Sequence, residues 1–178
     1  KIILTIAELH PNKGIDVALR GLALLPEKVK EKIIYYVAGS GEEKDKLEKL
    51  TSNLGLNKFV HFLGFVENAK SILPGADIVL VPSRTENLPF AVLEPGLYGL
   101  PIIATSVGGI PEIIKDMRNG ILVHPRNPKE IAEAIIYMLH HKERTKEFGV
   151  EIKNTVTNFF SFEKMLEETI NVYSKPLQ

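Results

Sequence analysis

Short apolar runs of strand length alternate along this chain with stretches whose apolar residues recur at helical spacing. Ile2–Ile6 reads as a strand, and Ile15, Ala18, Leu19, Leu22 and Leu25 then follow a helical period. Ile33–Ala38 reads as the next strand, ending at Gly39-Ser40-Gly41 before a charged helix from about Glu42 to Asn53. Phe59–Phe62 predicts a short strand, Glu67–Leu73 a short helix, Ile78–Val81 a strand and Pro89–Tyr98 a helix. Ile102–Ala104 and Ile121–Val123 read as further strands, with a helical turn over Pro111–Lys115 between them. Pro128 opens a helix to about His140, and another runs to about Asn158.

The strands are almost continuously apolar, as parallel strands are when helices cover both faces of the sheet. The pattern predicts a doubly wound, Rossmann-like α/β domain of about six parallel strands over residues 1–160. In such sheets ligands bind beyond the carboxyl ends of the strands. The Gly- and Pro-rich turns at 7–14, 39–41, 64–66, 82–89 and 105–112 all follow strands, so they converge on that edge. Residues 161–178 carry a separate amphipathic stripe: Phe162, Met165, Leu166, Ile170 and Tyr173, opposite Glu163, Lys164, Glu167 and Glu168. It packs either on its own domain or on a partner domain outside this chain.

Composition narrows the picture. A chain of 178 residues with 44% hydrophobic and 25% charged residues has the material for one core. Lys and Arg total 22 against 22 Asp and Glu, so no basic excess points to nucleic acid or an anionic membrane. There is no cysteine, which excludes disulfides, thiolate metal sites and a thiol nucleophile and fits a cytoplasmic protein. No run approaches the ~20 apolar residues of a membrane span, and no signal peptide is visible. The abrupt apolar start at Lys1, without Met, reads as a piece cut at a domain boundary.

The candidate chemistry lies in the turns. Val79-Leu80-Val81 stops at Pro82-Ser83-Arg84-Thr85-Glu86, and a helix is predicted to open at Pro89, with Glu94 in its second turn. Free N–H groups at that helix start, around Phe90 and Ala91, form a seat for an anion. Two carboxylates beside it suit a ligand carrying phosphate and also sugar hydroxyls, because an ionised carboxylate only accepts hydrogen bonds. Taken singly, Glu86 and Glu94 also read as a capping acid and a solvated acid. Lys13 precedes a helix as either a solvated lysine or a phosphate clamp. Gly39 and Gly41 read as a tight turn or as a close approach to a ligand, as do Gly108 and Gly109. His140 and His141 suit a helix C-terminus, and His10 alone lies on the ligand edge.

In order, these residues resemble a known family. Pro82-Ser83-Arg84-x-Glu86 followed by Glu94 is similar to the paired-glutamate motif of retaining GT-B glycosyltransferases, glycosyltransferase family 4. Lys13-Gly14, Gly39-Ser40-Gly41, Phe62-Leu63-Gly64-Phe65-Val66, Gly99-Leu100-Pro101 and Gly108-Gly109-Ile110-Pro111-Glu112 follow in the family's sequence, over residue 5 to about 140. The resemblance implies the donor-binding half of a two-domain fold, moving a hexosyl unit from a UDP-, GDP- or ADP-sugar. The other Rossmann-like domain would be its partner. Glu94 would accept from the ribose, Glu86 would contact the sugar, Lys13 would neutralise the diphosphate, and Val66 would meet the base. Gly39, Gly41, Phe90, Ala91, Gly108 and Gly109 would line the donor through backbone. No metal or other cofactor is implied, and any contact with a membrane surface would fall to the absent domain. A nucleotide-sugar-binding module without turnover, or a related sugar-nucleotide epimerase, is the alternative. One departure stands out: Glu8 occupies the place where the family usually has an arginine.

Overall fold

The computed structural model describes residues 1–87 and 89–174, with the side chains of Phe162, Glu163 and Glu168 outside that description. Its strands are β1 (Ile2–Ile6), β2 (Ile34–Ala38), β3 (Val60–Gly64), β4 (Ile78–Val81), β5 (Ile102–Thr105) and β6 (Ile121–Val123). The helices are α1 (Ile15–Ala23), α2 (Glu27–Lys30), α3 (Lys44–Asn53), α4 (Phe90–Leu97), α5 (Ile110–Ile113), α6 (Pro128–His140), α7 (Lys142–Phe159) and α8 (Phe162–Tyr173). All six strands are parallel in one sheet of order β3-β2-β1-β4-β5-β6. This is the doubly wound α/β architecture that the patterning predicts.

Alternation along each strand explains why both faces are apolar. Ile3, Tyr35, Val37, Ile78, Leu80 and Ile103 join one core with residues of α1, α3 and α6. Leu4, Ala38, Val79, Val81, Ile102 and Ala104 join a second core with α4, α5 and the end of α7. One polar link crosses the first core: the Thr5 hydroxyl lies 2.7 Å from the Tyr35 hydroxyl and donates to the Leu80 carbonyl at 2.6 Å. Burial pushes the Tyr35 phenol well above its usual pKa, with the Thr5 bond acting the other way. The phenol therefore stays neutral.

Three local predictions change. The stretch expected as a helix over 67–73 is a 3-10 turn over Ala69–Gly75, with Pro74 inside it and so no N–H there to continue an α-helix. The α2 turn does not stand out in the sequence, because four residues carry too little periodicity. Pro89 caps α4 instead of opening it: its backbone is extended (φ −81°, ψ 111°), and its carbonyl accepts from the Val92 and Leu93 N–H groups. In α8, Met165, Leu166, Ile170 and Tyr173 are exposed.

Candidate functional site

β1 and β4 are neighbours at the centre of the sheet, and the chain leaves them towards opposite edges, β1 to β2 and β4 to β5. A crevice forms at the carboxyl end of such a reversal point. The two turns flanking it, 7–14 and 82–87, are locked together. Gly14 adopts φ 64°, and a Cβ there would lie 2.1 Å from the Pro82 carbonyl, so only glycine lets the turns meet. The Arg84 N–H donates to the Asn12 carbonyl at 2.7 Å, its guanidinium pairs with Asp16 at 2.8 Å and it also bonds the Pro11 carbonyl. His10 caps the short 3-10 turn Pro11–Lys13, its Nδ1 accepting from the Asn12 N–H at 3.2 Å.

This clasp delivers Lys13 to Glu86 across 73 residues of sequence, with Nζ 2.7 Å from Oε1. The Ser83 hydroxyl donates to the same oxygen, also at 2.7 Å. Glu86 keeps 10% of its side-chain surface exposed and Lys13 29%, so the pair is partly withdrawn from water. Behind it, a Cβ on Gly108 (φ 53°) would sit 1.6 Å from the Glu86 carbonyl, and the Gly109 N–H donates to the Asn87 carbonyl at 2.8 Å. The glycine pair therefore buttresses the Glu86 turn within the chain.

Two clefts open beside this pair. One of 440 Å³ is lined by Ala7, Glu8, the Gly39–Gly41 turn, Phe65, Val66 and Ala69. The β1 turn and the 39–41 turn lie flat on each other, since a Cβ on Gly39 or Gly41 would meet the Ala7 or Leu9 carbonyl at 1.8 and 2.5 Å. The second, of 240 Å³, is lined by Glu8, His10, Asn12, Lys13, Thr85, Glu86 and Asn87. Glu8 is exposed and borders both. Arg84 is committed to Asp16, which removes it as a partner for Glu8.

Ala91, at the start of α4, lines a small recess with Lys13, Ser83 and Glu86, and Phe90 is exposed beside it. Among the described residues no side chain caps this helix start. Glu94 lies four residues into α4, about 6 Å from its N-terminus along the axis. It lines neither cleft and pairs with Lys70 of the 69–75 turn at 3.0 Å. Of the residues singled out in the sequence, then, Lys13 and Glu86 meet directly, Gly39, Gly41 and Val66 share one cleft, and Glu94 stands to the side. The contacts of Ser83 and Lys70 are additions of the structure: Ser83 reaches Glu86 from within the same turn, three residues away, and Lys70 reaches Glu94 from the 69–75 turn. A larger cavity of 760 Å³ lies at the opposite, amino-terminal edge, bordered by Lys1, Ile78, Pro101 and Met138. It touches none of these residues.

Sheet order and crevice together define a Rossmann-like, doubly wound α/β domain, the architecture of one half of the GT-B glycosyltransferases. Residues 1–155 match the family model for glycosyl transferases group 1, and the chain belongs to that family. An uncharacterized glycosyltransferase of Methanocaldococcus jannaschii is 36% identical over 175 residues, which are 97% of this chain and 44% of that protein. The chain thus spans less than half the length of this relative. Anabaena HepE, solved in complex with UDP, superposes with a TM-score of 0.89 at 23% identity over 97% of this chain and 48% of that one. The C-terminal domain of a group 1 glycosyl transferase from Francisella tularensis, LpcC, gives 0.80 at 24% identity, covering 90% of this chain and 86% of that one. Among the described residues no helix is long and apolar enough to cross a membrane.

Proposed function

We propose that this chain is the donor-binding half of a retaining glycosyltransferase that moves a hexosyl unit from a nucleoside-diphosphate sugar to an acceptor. The observation that carries the reading is the Lys13–Glu86 pair at the β1/β4 reversal point, flanked by the two clefts. The larger cleft suits a nucleoside: its floor is glycine backbone and its wall is Phe65 and Val66. The diphosphate would lie over Lys13 and the start of α4, where an ammonium and the N–H groups of Phe90 and Ala91 would stabilise the charge that builds on the leaving group. Glu86 would accept from hydroxyls of the transferred sugar, and Glu94 from the ribose. No metal is called for when a lysine and a helix start supply the positive charge. That HepE binds UDP supports a uridine nucleotide among the candidates.

The acceptor side and the second domain lie outside this chain. The exposed stripe of α8 would dock on that domain, completing the cleft. A second reading, a nucleotide-sugar-binding module without turnover, draws on Glu8, whose carboxylate borders both clefts and opposes a diphosphate. A thermal-shift panel of UDP, GDP, ADP and their sugars tests the donor site. A ligand at 100 times its Kd adds ~2.7 kcal/mol of stability, a clear rise in Tm. No shift with any of them would refute the reading, and donor hydrolysis by the two-domain protein would separate enzyme from module.

A further inference from the structure

We propose that Ser83 is the positioning residue of this site: its hydroxyl holds the Glu86 carboxylate when Lys13 turns to the diphosphate. The proposal rests on the donor-binding reading above. Lys13 Nζ and Ser83 Oγ donate to the same oxygen, Oε1 of Glu86, each at 2.7 Å. Among the described residues no group donates to Oε2, so the second oxygen is the one offered to a ligand.

The two donors differ in how firmly they are held. Lys13 ends in a mobile ammonium on a four-carbon stem, and a diphosphate competes directly for it. Ser83 is 2% exposed, and its carbonyl accepts from the fully buried Thr105 hydroxyl at 2.6 Å. Being neutral, the Ser83 hydroxyl has no reason to follow the phosphates. The acid is restrained from the backbone as well, because Gly108 leaves no room behind the Glu86 carbonyl and Gly109 ties Asn87. When the phosphates draw Lys13 away, Ser83 is the donor that remains on Oε1. Without it Glu86 would follow the lysine, and its free oxygen would leave the sugar.

The test pairs a ligand-free signature with two ligands, comparing the chain with its Ser83→Ala variant, a smaller side chain that fits the same buried space. Carboxyl NMR signals of labelled glutamates are recorded first, then calorimetry with UDP and with UDP-glucose. The proposal expects the Glu86 signal to shift and broaden while that of Glu94 stays in place. UDP affinity should remain within about twofold, and UDP-glucose should weaken about tenfold, equivalent to ~1.4 kcal/mol. An unmoved Glu86 signal overturns the proposal whatever the ligand, and so does an equal loss for UDP and UDP-glucose. A moved signal in a chain that binds none of UDP, GDP and ADP supports the hold of Ser83 on Glu86 and overturns the donor reading instead.

Discussion

Lys13 has competing claims on it. Glu86 already holds its ammonium at 2.7 Å in a partly buried pair, so a diphosphate must share or displace that contact. Glu86→Gln should therefore tighten UDP several-fold while weakening UDP-glucose relative to UDP, and calorimetry on both ligands measures the two effects separately. Glu94→Gln should weaken UDP by ~1.5–3 kcal/mol, the range for a hydrogen bond to a charged group. The freed Lys70 lies beside it and offsets part of that loss by its charge. Glu8 is exposed, borders both clefts and is not held by Arg84, which pairs with Asp16. Glu8→Arg should tighten UDP, and the gain should shrink as salt rises, because exposed charges are screened over ~8–10 Å. A flat response across a salt series would remove Glu8 from the site.

At the scale of elements, α7 packs against α4 and against the turn that follows it, with Ile152 and Val156 closing on Gly96. A Cβ on Gly149 would fall 2.2 Å from the Gly99 carbonyl, and one on Gly96 2.8 Å from Val156. Gly149→Ala must push α7 away from the Gly99–Pro101 turn and should cost ~1–3 kcal/mol, read as a lower midpoint in urea with an unchanged slope. The start of α6 carries a different device. Asn127 caps it, and the Glu130 carboxylate accepts from the His124 N–H at 2.6 Å and from the Asn127 amide at 2.7 Å. The His124 N–H bond, aided by the His124 ring and Asn127 against modest desolvation, holds Glu130 below its usual pKa. A lowered folded-state pKa means the stabilisation is present above the unfolded value and lost as pH falls through the folded one. Glu130→Gln should thus lower stability at pH 7 and flatten its acid limb, so that variant and parent converge as pH falls below ~4.5. The elements were legible in the sequence where apolar runs and periodicity are strong: β1, β4, β6 and α6 begin and end where Ile2–Ile6, Ile78–Val81, Ile121–Val123 and Pro128–His140 predict. The cap at Pro89 was not, because its carbonyl takes that role only through the N–H groups of Val92 and Leu93, three and four residues on.

For the whole molecule, the fold class was readable from continuous apolar strands, and the sheet edge carrying the site from turns that all follow strands. The contacts within the site were not, because Lys13 and Glu86 meet only once β1 and β4 are neighbours. Spacing could suggest that both acids served one ligand, but not that one was already paired with the lysine. The chain alone should bind a nucleoside diphosphate and transfer no sugar. With half of the proposed cleft outside it, donor and acceptor are not held in attack geometry, a loss worth many kcal/mol of barrier. Turnover by the purified 178-residue chain would contradict that division of labour.

The most direct test of the central claim is an amide NMR titration of the chain with UDP, GDP and ADP. At least one diphosphate should shift the amides of the turns at 7–14, 39–41, 64–66 and 82–87, together with Phe90 and Ala91, and Lys13→Ala should weaken the binding about tenfold or more. Shifts confined to the opposite edge, around the cavity bordered by Ile78, Pro101 and Met138, or no shifts with any of the three, would contradict it.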